Sequence, residues 1–299
     1  MKFSWITFLI ILFIIIVFVV ISSLISYYFS KKLVKWLKNV KRIDNRKDLD
    51  NSPKLKEIVR IIKEVSRIYR IKTPEIGVYP SEELNAFATG PTSDTLIAFS
   101  SKLINVMTIK EIRGVIGHEL SHLIHYDLRR ILFIQGSFDI LYWMFSYFFS
   151  WIIFSPKNNE NESEKDSEGI VGWFLRLLIF KTITNFIRFF GLLLVLWYNR
   201  KRELAADLRG AKIVGVDNMM ASLKKLLELE NKSWIVDGVD LTEDKNFQQG
   251  EPNALSLLKF NPEKKKRGFL DLLRTHPALE ERIKKLENFK KKRNITGII

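Results

Sequence analysis

Residues 117–122 read Gly117-His118-Glu119-Leu120-Ser121-His122, an H-E-x-x-H pattern. On an α-helix, positions four apart differ by about 40° in direction and about 6 Å in rise, so both imidazoles point at one ion. Glu119 then projects beside them, placed to take a proton from a metal-bound water. The pattern sits on a well-started helix, because Thr108 followed by Glu111 is a capping-box signature and apolar residues continue through Leu120. With only four histidines in 299 residues, chance poorly explains two of them bracketing a glutamate at this spacing. Gly114 and Gly117 cost helix stability. Apolar neighbours would also bury the two imidazoles without partners, which argues against a merely structural pair.

The chain has no cysteine, which excludes disulfides, thiolate metal sites, iron–sulfur clusters and thiol nucleophiles, and leaves His, Asp and Glu as ligands. A catalytic zinc keeps three protein ligands and one open position. His125 lies seven residues from His118, about 10 Å along the axis, too far to share the ion. The metzincin pattern would place Gly at 125 and His at 128, where this chain has His125 and Leu128. The third ligand is therefore expected to be a carboxylate from another helix. Glu203 is the best choice, since Asp207 follows one turn later on the same face and is placed to orient a ligand imidazole. His276 precedes Pro277 at the start of a further helix, where a fixed imidazole could steady the oxyanion of a tetrahedral intermediate.

Three apolar runs surround these motifs. Phe3 to Ser30 contains no charged residue, enough to cross a bilayer core that needs about 20 residues in helix. Lys31 and Lys32 follow it with no cleavage-site pattern, which favours an anchor over a signal peptide. Ile131 to Phe154 and Ile170 to Tyr198 are the arms of an expected hairpin. The loop between them, residues 156–168, holds five acids and two lysines. Arg129, Arg130, Arg200, Lys201 and Arg202 mark the opposite ends. The positive-inside rule puts those ends in the cytoplasm together with Lys31 and Lys32. Asp139 and Arg188 interrupt the two arms at similar depth and are expected to face each other. The resulting organisation is an anchor over 1–30, catalytic segments over 31–130 and 199–299, and a transmembrane hairpin over 131–198.

The net charge is +15, yet no nucleic-acid motif accompanies it. Residues 31–72 carry fifteen Lys or Arg against five acids directly after the longest apolar run, which suits an anionic membrane face. Lipid bilayer, not nucleic acid, is the expected partner. Residues 53–70 read as an amphipathic helix led by Pro53. Ile76–Tyr79 reads as a strand, and 85–89 with 95–100 as a hairpin around Gly90-Pro-Thr-Ser-Asp94. Helices are expected from Tyr198 to Val214 and over 217–230 and 277–289, with 236–254 loop-like. The fold class is mainly α with a small β-sheet.

In order along the chain, Asn85-Ala-Phe-Ala-Thr-Gly90, Gly117-His-Glu-Leu-Ser-His122, Arg202-Glu-Leu-Ala-Ala-Asp207 and Thr275-His-Pro277, with two apolar segments between the second and third, resemble the HtpX family of membrane zinc proteases. That family is related to the CAAX prenyl proteases. The resemblance implies a gluzincin-type domain with transmembrane helices on the cytoplasmic side of the cell membrane and one Zn2+ per chain. It implies His118, His122 and Glu203 as ligands, Glu119 as catalytic base, and Asp207 behind a ligand histidine. Asn85 would hold substrate backbone and His276 would steady the transition state. The implied substrates are polypeptides, in membrane protein quality control. The chain departs from the family's usual pattern in its single N-terminal span, and in Asn199 and Leu204, where Ser and Tyr are common. A prenyl-dependent protease would need a large intramembrane chamber, for which three spans are few. A non-catalytic metal-binding scaffold would need a missing base, and Glu119 is present.

Overall fold

The computed structural model describes residues 5–44, 52–154, 170–232, 235–236, 239–240 and 277–296. Their contacts separate into two units. One comprises Met1–Ser26 with Arg130–Val195, and the other Tyr27–Arg129 with Leu196–Ile299.

Helix α1 (Trp5–Leu37) is followed by the short strand β1 (Lys41–Arg42). Helix α2 (Pro53–Ile68) starts where the proline predicts. Ser52 caps it by accepting from the Leu55 N–H, and Ile58, Val59, Ile62 and Val65 form its buried face. Strands β2 (Glu75–Tyr79), β3 (Ala86–Thr89) and β4 (Leu96–Ser100) follow, then the short helix α3 (Ser101–Val106). The sheet order is β1-β2-β4-β3. The expected hairpin is present, with Ala86 opposite Phe99 and Thr89 opposite Leu96. The parallel pairing of β2 with β4, Glu75 beside Leu96 through Tyr79 beside Ser100, was not legible in the pattern. It makes β4 central and buried throughout, and leaves β3 on the edge.

The metal-motif helix is α4 (Ile109–Ile124), and both hydrogen bonds of its capping box are formed. Its Ile112, Ile116 and Leu120 pack with α2, with Ile76 of β2 and with Ile97 and Phe99 of β4 in the main core. The helix stops at His125, and Tyr126 takes a positive φ of 55°. Asp127 therefore opens the next helix, α5 (Asp127–Phe154). Helix α6 (Ile170–Val214) continues without a break from the third apolar run through Glu203 and Asp207. Gly215, at φ 94°, turns the chain into α7 (Val216–Lys232). The strands β5 (Ile235–Val236) and β6 (Val239–Asp240) pair at the start of the stretch expected to be loop-like. Helix α8 (Leu279–Thr296) sets Ile283 and Leu286 against Ala211, Met219 and Leu223 in a second apolar cluster.

Among the described residues, three helices are long and apolar enough to cross a membrane, over Leu9–Leu37, Asp127–Ser150 and Gly172–Val214. Within the apolar unit, Gly136 lies against Val19 and Ser23, and Gly191 against Phe138. Asp139 and Arg188 line one cavity of about 930 Å³ there, with Tyr142 and Phe186.

Candidate metal centre

Two glycines decide how α6 meets α4. A Cβ on Gly210 would lie 3.0 Å from the carbonyl carbon of Gly117 and 3.1 Å from the His118 nitrogen, and one on Gly117 would lie 2.5 Å from Val214. The backbones therefore touch where the sequence spends helix propensity on glycine. Gly114 plays the same part toward α7, where a Cβ would meet Asn218 and Ser222 at 2.5 Å. The helix-weakening glycines are thus explained by close packing. Glu203 and Asp207, two turns and one turn before Gly210, are delivered onto the histidine face of α4.

His118 Nε2 lies 3.2 Å from Glu203 Oε2 and 3.2 Å from His122 Nε2, and His122 Nε2 lies 3.6 Å from Glu203 Oε1. A four-coordinate ion with bonds of about 2.0 to 2.2 Å holds its donor atoms about 3.3 to 3.6 Å apart, so these separations suit a divalent cation. Glu203 is buried, with 3% of its surface exposed. Arg202 donates to its Oε1 at 3.0 Å. His118 Nδ1 donates to Asp207 Oδ1 at 2.9 Å, which directs Nε2 toward the site, its proton to be released when an ion binds. Burial works against a charge on His118, but hydrogen bonds to Asp207 and Glu203 outweigh it and lift its pKa to about 9.

Three further residues complete the surroundings. His122 Nδ1 donates to Asp127 Oδ2 at 2.9 Å, and Arg209 Nη1 donates to the same oxygen at 3.4 Å. Arg282 of α8 grips Asp207 with two bonds of 2.7 Å each, Nε to Oδ2 and Nη2 to Oδ1. Each histidine thus has a carboxylate behind it, and each carboxylate an arginine. The only sequence signal for Asp127 was its place five residues after His122. Arg282 lies six residues after His276, and nothing in that spacing pointed to Asp207.

Glu119 is half-buried. Burial raises its carboxyl above the usual glutamate range. The charges of His118 and His122 oppose that shift, Glu203 adds to it, and the Ala88 N–H of β3 lowers it. His125 caps α4, its Nδ1 donating to the Ser121 carbonyl at 2.9 Å. Asn85 is exposed at the head of β3, its backbone tied to Ser100 by the Asn85 N–H to Ser100 Oγ at 3.2 Å and the Ser100 N–H to the Asn85 carbonyl at 2.9 Å. His276 lies outside the described residues.

Residues 52–290 match peptidase family M48. The chain belongs to that family. This M48 peptidase is 35% identical over 234 residues to a protease HtpX homolog of Methylacidiphilum infernorum, covering 77% of this chain and 71% of that one. It is 33% identical over 280 residues to protease HtpX of Wigglesworthia glossinidia brevipalpis, covering 90% and 84%. Among solved structures it resembles S. mikatae Ste24p with a TM-score of 0.58 at 16% identity. That match covers 92% of this chain and 58% of the other, so the M48 peptidase spans little more than half the length of that relative. The gluzincin-type fold, mainly helical with a small mixed sheet, agrees with the expected class. With its three apolar helices, the M48 peptidase is a membrane metalloprotease.

Proposed function

We propose that this chain is a zinc-dependent endopeptidase in which His118, His122 and Glu203 hold one Zn2+ and Glu119 is the general base. The observation that carries this reading is the cluster of three donor atoms, all within 4.8 Å of one another, with a glutamate between the two histidines. Zinc bound there would polarise the scissile carbonyl and lower the pKa of its water. Glu119 takes the proton and passes it to the leaving amine. A carboxyl raised above its ordinary range is better matched to both acts near neutral pH. Asp207 fixes the tautomer and direction of His118, and Asp127 those of His122.

Substrate backbone would pair with the open edge of β3, whose Ala88 N–H faces Glu119. Asn85, at the other end of that edge, would hold the same backbone. His276 retains the role implied by the family resemblance, steadying the transition state. Arg129, Arg130, Arg200, Lys201 and Arg202 support a cytoplasmic catalytic domain. The natural substrates would be polypeptides of the same membrane, cleaved for quality control.

Purified protein in detergent should cleave casein or an unfolded membrane protein, lose that activity to a chelator and regain it with zinc. Glu119→Gln should bind zinc as the wild type does and cleave nothing. Full activity in that variant would remove Glu119 from its role.

A further inference from the structure

Beside the metal cluster lies a small pocket of about 40 Å³, lined by His122 itself, Ala88 and Thr89 of the edge strand, Leu123, and Leu128. Tyr27 and Tyr126 contribute its aromatic walls. The lining is chiefly apolar. We propose that this pocket receives the side chain of a substrate residue flanking the scissile bond, and that its size restricts that residue to small side chains, up to threonine or valine. The proposal rests on the endopeptidase reading above and adds a substrate class to it.

Register argues for the placement. The Ala88 N–H is level with Glu119, so a strand paired along β3 has its scissile bond near Ala88. Consecutive residues of a strand are about 3.3 Å apart. The next one along falls at Thr89 and Gly90, the residues that rim the pocket. Asn85 lies about 10 Å back along the strand, so it faces a different part of the substrate.

The size is set by a wall that does not readily give. The Tyr27 hydroxyl accepts from the Thr92 N–H at 2.9 Å and from Arg129 Nε at 2.9 Å. The Arg129 guanidinium also lies over the Tyr27 and Tyr126 rings, 5.7 and 5.2 Å from their centroids. A ring held by its hydroxyl and covered on a face does not swing aside for a larger side chain. A cavity needs about 10 to 15 Å³ to hold one water, so the space takes a side chain of about three heavy atoms and excludes a benzyl group.

The test uses full-length protein with zinc and quenched fluorescent peptides that vary one residue at a time on either side of the cleaved bond. At one flanking position, kcat/KM for Ala, Ser or Val should exceed that for Phe or Trp by about tenfold or more, the discrimination that even one methylene can produce. Leu128→Ala should widen the pocket and shrink that ratio at the same position. Thr89→Phe should fill it and depress cleavage of the alanine peptide, with zinc content unchanged in both variants. Chelator-sensitive cleavage with no size preference at either flanking position would overturn the pocket and leave the endopeptidase standing. A preference unchanged in both variants would do the same. No chelator-sensitive cleavage of any peptide or protein would overturn the endopeptidase itself.

Discussion

Asp127 holds His122 by a 2.9 Å hydrogen bond at Nδ1, matching the 2.9 Å bond by which Asp207 holds His118. The two acids come from different helices, Asp127 from the first turn of α5 and Asp207 from the last third of α6. Both are almost fully buried, at 1% exposure each. Two independent parts of the chain thus supply the same service to neighbouring imidazoles.

Asp127→Ala should weaken zinc binding by about 10- to 100-fold, the usual consequence of removing a carboxylate behind a ligand histidine. Competition against a chromophoric chelator measures it. An unchanged affinity would mean that α4 alone directs the His122 ring.

Arg282→Ala would strand Asp207, whose side chain is 2% exposed, as a buried charge without its two-pronged partner. Breaking such a pair costs about 3 to 5 kcal/mol. Thermal unfolding in detergent should show a markedly lower midpoint. Arg282→Lys keeps the charge but loses the fork, so its midpoint should fall between the two. A midpoint for Arg282→Ala equal to wild type would show that α8 contributes nothing to the centre.

Gly210→Ala puts a methyl group 3.0 Å from the Gly117 carbonyl carbon and 3.1 Å from the His118 nitrogen. Overpacking of this kind costs about 1 to 3 kcal/mol. Because α6 carries Glu203, displacement there should lower bound zinc as well as stability. Elemental analysis alongside the unfolding curve separates the two, and a variant normal in both would show that the helices are free to move apart.

Zinc binding should strengthen with pH. In the metal-free protein His118 holds its proton up to a pKa of about 9, and the ion must displace that proton. Below pH 9 each unit of acidification should therefore weaken apparent affinity by about tenfold. The sign is opposite for the stability of the metal-free chain. A pKa raised above the unfolded value of about 6.5 adds stability that is full below pH 6.5 and lost as pH rises through about 9. Chelator competition at pH 6, 7 and 8 tests the first effect, and a flat dependence would contradict the protonation of His118.

Much of this was local and therefore legible in the chain itself. His118 and His122 face one way because an α-helix repeats every 3.6 residues. Thr108 and Glu111 start that helix by a bond three residues long, and the three apolar runs declare themselves by length. Glu203 with Asp207 could be named as a candidate because a metal site of this kind needs a third donor and the chain offers no cysteine or suitably spaced histidine. What only the tertiary structure decided are the meetings between distant segments. These include the parallel pairing of β2 with β4 that leaves β3 at the edge, the touching backbones at Gly117 and Gly210, and the arrival of Arg282 at Asp207. They depend on shape and on which buried charge needs a partner, and neither leaves a periodic mark on a sequence.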